Sequence, residues 1–467
     1  MSVRAVIVNG MGFGDEGKGT IVDSIVQRTR AHTVIRYNGG PQAGHNVVTN
    51  DGRHHTFAQF GAGTFRGART FLSRFMCVAP LAAMREAEAL STLGVVNPLS
   101  LLSIDEHALI ITPFHRAANR LRELLRDGSR HGSCGVGVGE SMADLVFLGP
   151  DQSLFMGELR NRSKMAYKLE RIQEAKRAEL YAMARDLPDT KDVLHERMVL
   201  ERVDAVDRTI ELFESFASTV HTVGSGYLAH VMNTPGTVGF EEAQGVLLDE
   251  SYGFHPHTTW STTTPKNAHT LLSEASFKGA TTTIGVMRAY ATRHGAGPFP
   301  TEDPAFQTTL FDPYNTTGAW QGGFRLGTYD SVLASYARAV SGKLDMIAVT
   351  NPDPVHPKSW QHARGYAVNE RDRDLFNTNE EGIAVSIRLK DQLEDLHYQE
   401  RLTVALNRAT PIYQSIRGGA DGVLQAISSS FNAPVGIISR GPMQRHKQFL
   451  PVATASLPNA TLSLTAA

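Results

Sequence analysis

The glycine-rich segment at residues 10–20, GMGFGDEGKGT, places the carboxylate of Asp15 close to the cation of Lys18. Residues 3–8 are apolar and rich in valine, which predicts a buried strand, and residues 21–30 have the spacing of an amphipathic helix. A strand, a glycine turn and a helix together direct backbone N–H groups and the positive end of a helix dipole at an anion. A carboxylate there would repel phosphate unless it held a metal ion or moved a proton. The segment therefore predicts a catalytic phosphate site.

Two nucleotide-binding motifs overlap in this segment. Residues 12–17 spell GxGxxG, the dinucleotide fingerprint, but residues 32–50 lack the acidic side chain that would hold a ribose. The same glycines followed by Lys18 match most of the P-loop pattern, although Gly19 stands where a Ser or Thr would bind magnesium. A dehydrogenase and a glycine turn without a ligand are the less favoured alternatives.

Longer strings extend the pattern along the chain. They are GDEGKG at residues 14–19, IRYNGG at 35–40, AGH at 43–45, EAQGVLLD at 242–249 and TRHGAGPFPTE at 292–302. In order and rough spacing, from residue 5 to about residue 445, the sequence resembles the adenylosuccinate synthetase family. The resemblance implies a GTP-dependent ligase of purine nucleotide biosynthesis that joins L-aspartate to inosine monophosphate (IMP).

The implied reaction phosphorylates the 6-oxo group of the purine and then displaces that phosphate with an amine. The 6-oxygen is a poor nucleophile until N1 loses its proton, so a base is needed beside the triphosphate. The resemblance assigns this role to Asp15, which also binds Mg²⁺ together with the backbone carbonyl of Gly44; phosphates and one carboxylate suit this hard cation. His45 matches the general acid that stabilises charge on the leaving phosphate, and Lys18 matches a γ-phosphate contact.

The implied GTP site combines the glycine segment with two turns much later in the chain. Its residues are Gly14, Glu16, Gly17, Lys18, Gly19, Asp353, Ser439 and Gly441. Asp353 can accept from the N1 and N2 donors of guanine, which adenine cannot reproduce. The family's Thr-Lys-Leu-Asp string is TNPD at residues 350–353, so Asn351 replaces a lysine. GTP is the expected triphosphate, while ATP or a relaxed preference stays open.

The implied IMP and aspartate sites depart further from the family. The matching residues are Gln42, Ser133, Gln244, Thr259, Thr317 and Arg325. Gln42 replaces an asparagine, and residues 139–158 lack the arginine that the family sends across a dimer interface. Where the family has a run of arginines in its aspartate loop, this chain retains Arg325 alone. Either Arg325 and Arg293 hold the amine donor, or the donor differs. Trp320 in this loop is equally compatible with a core position.

Two further alternatives stay open. A divergent paralogue could use a deoxynucleotide or another amine donor, because the loss of a ribose-contacting arginine suits a deoxy substrate. Viral relatives that aminate a guanine deoxynucleotide typically carry a smaller residue in place of the loop carboxylate, so Asp15 favours a hypoxanthine base. A non-catalytic nucleotide-binding regulator would need the glycines and Lys18, but neither Asp15 nor His45.

Composition narrows the class of protein. The 467 residues are 41% hydrophobic and 20% charged, as in ordinary globular proteins. The net charge of −1 predicts no nucleic-acid partner. Cys77 and Cys134 cannot form a disulfide framework, which indicates a reducing, cytoplasmic compartment, and no apolar run predicts a membrane span. The resemblance adds a homodimer.

The elements that must position these residues follow an α/β pattern. Residues 1–150 alternate short apolar strands with helices and glycine turns, which predicts a P-loop-like, mainly parallel sheet flanked by helices. Residues 164–185 and 193–216 are each periodic for helix, within a charge-rich insertion at about residues 155–220. We expect the insertion to pack beside the sheet.

The chain is predicted to form a single domain over residues 1–450, with small subdomains. Residues 451–467, PVATASLPNATLSLTAA, are small and polar, which predicts a disordered tail.

Overall fold

The structure is a computed structural model that describes residues 3–126, 133–310, 315, 320, 322–353 and 361–459. The strands of this part of the chain are β1 Val3–Gly10, β2 Thr33–Arg36, β3 His45–Val48, β4 His54–Phe57, β5 Arg69–Leu72, β6 Cys77–Val78, β7 Leu102–Asp105, β8 Leu109–Ile110, β9 His221–Val223, β10 Gly236–Glu241, β11 Ala280–Arg288, β12 Ala291–His294, β13 Phe324–Gly327, β14 Tyr329–Asp330, β15 Met346–Thr350, β16 Gln361–Ala367, β17 Phe376–Thr378, β18 Ala384–Ile387, β19 Thr410–Ser415, β20 Val435–Ser439 and β21 Lys447–Phe449. Its α-helices are α1 Lys18–Thr29, α2 Pro80–Thr92, α3 Pro113–Arg126, α4 Val138–Phe147, α5 Arg162–Met183, α6 Lys191–Glu201, α7 Ala205–Thr219, α8 Tyr227–Asn233, α9 Lys266–Glu274, α10 Ser331–Ser341, α11 Leu396–Arg408, α12 Gly419–Phe431 and α13 Pro451–Ser456.

A ten-stranded sheet forms the centre of the molecule, in the order β21-β20-β15-β11-β1-β10-β2-β5-β7-β9. Neighbouring strands pair in parallel, except that β21 is antiparallel to β20. The predicted mainly parallel α/β sheet is confirmed. Because β1 lies between β10 and β11, the glycine segment that follows it begins in the middle of the carboxyl edge, where such sheets bind ligands.

Helices cover both faces of the sheet. Val6 and Val8 of β1 pack in one hydrophobic cluster with Ile21 of α1, whereas Ala5 and Ile7 pack in a second cluster with residues of α8 and α9. Successive side chains of a strand point to opposite faces, so the valine-rich run supplies both clusters. Among the described helices, none has the length and apolar character needed to cross a lipid bilayer.

The charge-rich segment contains three helices where the sequence predicted two. Helix α5 matches the first predicted stretch, but the second is divided into α6 and α7 because Arg202 adopts an extended conformation (φ −64°, ψ 131°). Met165 and Leu169 of α5 and Phe213 of α7 belong to the same cluster as Val6, so these helices share the main core with the sheet.

The polar end of the chain is ordered further than the sequence suggests. Residues 451–456 form helix α13, and Ala453 and Leu457 are fully buried. The carbonyl of Leu457 accepts a hydrogen bond from Nε of Arg28 at 2.5 Å. The expected disorder therefore does not begin at residue 451, because two buried apolar side chains anchor the segment. Residues 460–467 lie outside the described part.

Candidate active site

The glycine segment between β1 and α1 lines a cavity of about 490 Å³, here called the first cavity. Gly14 and Gly17 have φ angles of 111° and 90°, a left-handed conformation that glycine adopts without strain. Helix α1 begins at Lys18, immediately after this turn. The predicted residues Gly14, Asp15, Glu16, Gly17, Lys18 and Gly19 all line the first cavity.

The ammonium group of Lys18 is bound by three acceptors of the protein itself. Its side chain is buried, and Nζ donates to Oε2 of Glu16 at 3.1 Å, to the carbonyl of Gly14 at 3.0 Å and to the carbonyl of Gln244. Burial opposes the charged form, but the carboxylates of Glu16 and Glu242 outweigh it and raise the pKa of Lys18. An ammonium group has three N–H donors, so Lys18 must exchange one of these acceptors in order to contact a phosphate.

Asp15 lies between the first cavity and a second one of about 410 Å³, because its carboxylate interacts electrostatically with Cys134 and His294, which line the second. This position is here called the junction of the two cavities. Asp15 lines the first cavity, while Phe13, two residues earlier, lines the second. Desolvation raises the pKa of Asp15, and the nearby side chains of His294 and Arg288 oppose the shift. A carboxyl group with a raised pKa at this junction is suited to take a proton.

His45, the first residue of β3, is oriented by a carboxylate that the sequence did not reveal. Nδ1 of His45 lies 2.6 Å from Oε1 of Glu241, the last residue of β10, and the other oxygen of Glu241 accepts from the backbone N–H of Ala62 at 3.0 Å. Burial lowers the pKa of His45, whereas Glu241 opposes this shift. Within the described residues, Nε2 of His45 is buried without a hydrogen-bond partner, and His45 lines the first cavity. A ligand in the first cavity can satisfy this nitrogen.

Gly19, which breaks the P-loop pattern, is required by packing. A Cβ atom on Gly19 would lie 2.7 Å from Cβ of His45 and 3.0 Å from its Cα. Atoms at these separations overlap, so any side chain at this position would displace His45 or the start of α1. The close approach sets Cβ and the backbone of His45 against the start of α1.

Oxygen atoms on two sides of the first cavity could hold a metal ion. The carboxylate of Asp15 and the exposed backbone of Gly44 line the same cavity. No cluster of three or more His, Cys, Asp or Glu side chains suited to a metal occurs in the described residues. A divalent ion that takes most of its ligands from phosphates and water fits this sparse set.

The far end of the first cavity is built from the turns after β15 and β20. Asn351 donates its backbone N–H to the carbonyl of Ser439 at 2.9 Å, which joins the two turns. Asp353 lies 3.2 Å from Nε of Arg440 in an ion pair, and its side chain is 57% exposed. The predicted residues Asp353, Ser439 and Gly441 line this end, so the structure brings all eight predicted GTP residues to one cavity.

The second cavity contains four of the six predicted substrate residues, namely Gln42, Ser133, Gln244 and Thr259. Both polar atoms of the Gln42 amide are buried and lack a partner within the described part of the chain. Buried amides are almost always hydrogen-bonded, which indicates that a ligand completes this wall. Of the remaining two residues, Thr317 lies outside the described residues.

Arg325 is not brought to the other substrate residues. It lies opposite Arg293 in the β12–β13 pair, and neither described cavity is lined by Arg325. Nη1 of Arg325 lies 2.7 Å from Oε2 of Glu302, and Nη2 donates to the carbonyl of Gly297 at 2.9 Å. Both contacts hold Arg325 beside the β12–β13 pair and away from the second cavity.

Arg293 does line the second cavity, but it also has internal acceptors. Its guanidinium donates to the carbonyls of Ala296 and Pro298, each at 3.1 Å, and lies over the ring of Phe13 at 4.1 Å. Burial, with a smaller effect of Arg325, lowers the pKa of Arg293 to about 9. A carboxylate ligand would therefore have to compete with backbone carbonyls for this cation.

Trp320 occupies the packed position that the sequence left open. A Cβ atom on Gly135 would lie 2.9 Å from the Trp320 ring, and the guanidinium of Arg120 is 5.4 Å from the centre of that ring. Trp320 also packs against the main hydrophobic cluster. The Trp320 ring thus lies against Gly135, two residues after Ser133.

The family model described as adenylosuccinate synthetase matches residues 7–448. This chain belongs to the adenylosuccinate synthetase family. Members of this family are C–N ligases that join IMP and aspartate at the expense of GTP, and the use of GTP implies a divalent metal ion. The resemblance seen in the sequence is confirmed.

Individual relatives agree with this assignment. The adenylosuccinate synthetase of Edwardsiella ictaluri is 30% identical over 460 residues, which cover 94% of this chain and 96% of that protein. The enzyme of the same name from Mycolicibacterium vanbaalenii is 28% identical over 408 residues, covering 83% of this chain and 86% of its own.

Two solved structures share the fold. The fully ligated adenylosuccinate synthetase of Plasmodium falciparum has a TM-score of 0.70 at 19% identity, covering 95% of this chain and 99% of its own. The succinoaminodeoxyadenylate synthetase of cyanophage S-2L, bound to dGMP and dATP, has a TM-score of 0.58 at 15% identity, covering 98% and 100%. At these identities the two structures support the architecture of this family member.

Proposed function

We propose that this adenylosuccinate synthetase family member uses Asp15 as the base and His45 as the acid in the GTP-dependent joining of IMP and aspartate. The observation that carries the proposal is the position of Asp15 at the junction of the two cavities, beside the phosphate loop. A purine in the second cavity and a triphosphate in the first would meet at this carboxylate. A protein that only bound nucleotide would need no proton acceptor there.

In the first step, Asp15 removes the proton from N1 of IMP, and the 6-oxygen attacks the γ-phosphorus of GTP. Charge then develops on the bridging oxygen and the β-phosphate. Protonated His45, held through Nδ1 by Glu241, can donate from Nε2 to this charge. Mg²⁺ bound by Asp15, the Gly44 carbonyl and the phosphates would neutralise part of the phosphate charge.

In the second step, the amine of aspartate attacks C6 and the phosphate leaves. The carboxylates of the amine donor need cations, and Arg293 and Arg325 are the candidates on the β12–β13 pair. Both arginines already donate to acceptors within the protein. We therefore propose that aspartate binds only after it replaces one of these internal acceptors. This supports weak or altered selection of the amine donor.

A deoxynucleotide substrate is the second candidate within the same chemistry. It is favoured by the loss of loop arginines, and the cyanophage S-2L protein of the same fold was solved with dGMP. The presence of Asp15 favours instead a purine base without a 2-amino group. We therefore propose IMP or its 2′-deoxy form as the substrate, in preference to a guanine nucleotide.

A homodimer is also proposed. The end of α4 exposes Val146, Phe147 and Leu148 by 62%, 74% and 49%, a concentration of apolar surface that supports burial against a second copy. The segment contains no arginine, so such a dimer would lack the phosphate contact that the family sends across the interface. Light scattering of the pure protein, compared with a Phe147→Asp variant, tests this arrangement.

The reaction is tested by incubating the pure protein with GTP, Mg²⁺, IMP and aspartate and identifying the products by mass. We expect adenylosuccinate, GDP and phosphate, with no GTP consumption when IMP is omitted. Parallel reactions replace IMP with its 2′-deoxy form or dGMP, GTP with ATP, and aspartate with other amino acids. Binding of both nucleotides without product would establish the regulator alternative.

A further inference from the structure

Arg288 is a buried cation in the wall of the first cavity, although none of the sequence strings includes it. It is the last residue of β11, the strand between β1 and β15, and it is paired in register with Thr350. Its side chain is 7% exposed and lines the first cavity. A buried guanidinium next to the phosphate loop is placed to act on that loop.

The guanidinium holds the loop by its backbone. Nε of Arg288 donates to the carbonyl of Asp15 at 2.5 Å, and Nη1 donates to the hydroxyl of Tyr290 at 3.0 Å. The same hydroxyl accepts from Nδ2 of Asn351 at 3.3 Å. Arg288 is therefore linked through Tyr290 to Asn351 in the turn after β15, and its Nε binds the glycine segment at the carbonyl of Asp15.

The next carbonyl of the loop is held in the same way. Oγ1 of Thr350 donates to the carbonyl of Glu16 at 2.8 Å. The C=O and the following N–H of a trans peptide point in opposite directions, so these two contacts turn the N–H groups of Glu16 and Gly17 away from the sheet. Neither N–H has a hydrogen-bond acceptor within the described residues. Two adjacent unpaired N–H groups at the start of a helix form an anion site.

We propose that Arg288 is a positioning residue for the triphosphate: it holds the Asp15 carbonyl and so directs the N–H of Glu16 at a phosphate oxygen. Thr350 holds the carbonyl of Glu16 and so directs the N–H of Gly17 in the same way. This inference goes beyond the proposed function by naming the residues that shape the phosphate site, and it rests on that function in assuming a nucleoside triphosphate in the first cavity. Asn351 belongs to the same network, because it donates to the Tyr290 hydroxyl that also accepts from Arg288.

The test measures binding by calorimetry without IMP or aspartate, so that it does not depend on the ligase reaction. The ligands are GDP with Mg²⁺ and guanosine, which shares the base and ribose but lacks phosphate. Arg288→Met should weaken GDP binding by about ten- to a hundredfold, since a charged donor is lost, while guanosine binding changes less than about twofold.

Two further variants separate positioning from general damage. Arg288→Lys keeps the charge but cannot reach Asp15 and Tyr290 together, so GDP binding should fall between wild type and Arg288→Met. Thr350→Val removes a neutral donor at matched size and should weaken GDP by about three- to tenfold, again sparing guanosine. In the full reaction, each variant should raise the KM for GTP and leave the KM for IMP unchanged.

Wild-type affinity for GDP in Arg288→Met would overturn the proposal. So would equal losses of GDP and guanosine binding, because they would indicate a collapsed base site. If Arg288→Met does not fold, Arg288→Lys and Thr350→Val still decide the question by the same comparison of the two ligands. A wild type that binds GDP but forms no adenylosuccinate would contradict the proposed function and leave the role of Arg288 to these binding measurements.

Discussion

The first and second cavities are built in different ways. The first is framed by the ends of adjacent parallel strands, β1, β11, β15 and β20, and all eight predicted GTP residues line it. The second is lined by residues of helices α3 and α4, of β12 and of irregular segments, and Arg325 lies away from it. A row of strand ends is fixed by the hydrogen bonds of one sheet, whereas the walls of the second cavity depend on how helices and irregular segments pack together.

The same contrast appears in the charged groups. In the first cavity, His45 is paired with Glu241 through Nδ1, and its Nε2 is left for a ligand. Arg325, on β13, is already paired with Glu302. The number of arginines in a motif therefore does not give the number of available cations. What matters is whether the protein itself supplies the acceptor.

The largest effect should come from Asp15, which lines the first cavity and lies beside the second. Asp15→Asn removes the base without changing the size of the side chain, and we expect turnover to fall by at least about a hundredfold. Binding of GDP in the absence of Mg²⁺, measured by calorimetry, should change little, because the loop contacts of Arg288 and Thr350 use backbone carbonyls. Near-normal turnover in Asp15→Asn would show that the junction is not the catalytic point.

Glu241→Gln should lower kcat by about tenfold or more, since the neutral amide no longer stabilises the imidazolium of His45. The KM values should remain close to wild type. If Glu241 acts through His45, the double variant with His45→Ala should be no slower than His45→Ala alone. Additive losses in this cycle would assign Glu241 an independent role.

At the purine end, Asp353→Asn should weaken GTP by about tenfold and leave ATP unchanged, because it removes an acceptor for guanine's N–H donors. The effect is modest since the carboxylate is more than half exposed and paired with Arg440. Arg440→Met is the matched control: it removes the partner of Asp353 but keeps the acceptor, so the preference for GTP should persist. A wild type that prefers ATP would refute this assignment.

The smallest effect on kinetics is expected from substitutions beside the β12–β13 pair. Glu302→Gln weakens the contact that holds Arg325. It should lower the KM for aspartate by about two- to fivefold if Arg325 then binds the donor, in the range of a partly exposed ion pair. Arg325→Ala should raise the same KM. Titrations of aspartate against both variants provide the comparison, and changes of the same sign would exclude Arg325 from the amine-donor site.

The sequence could predict the parts of the site that depend on local backbone. Asp15, Lys18 and the glycines fall in one turn, and the alternation of strands and helices sets that turn at the edge of the sheet. Glu241 and Arg288 could not be found in this way, because their partners lie 196 and 273 residues away and no spacing rule connects them. The break at Arg202 and the anchoring of Leu457 likewise depend on tertiary packing rather than on local periodicity.

The contact between Gly19 and His45 has a consequence for how such sites can change. P-loop proteins bind magnesium through a hydroxyl at the position of Gly19. Here Cβ and the backbone of His45 occupy the volume that a side chain at position 19 would need, so the two arrangements are mutually exclusive within one backbone. Exchanging one for the other requires the backbone at position 45 to move, because the Cα and carbonyl carbon that crowd Gly19 belong to any residue there. A metal ligand on a different part of the loop, as proposed for Asp15, is the arrangement compatible with keeping the histidine.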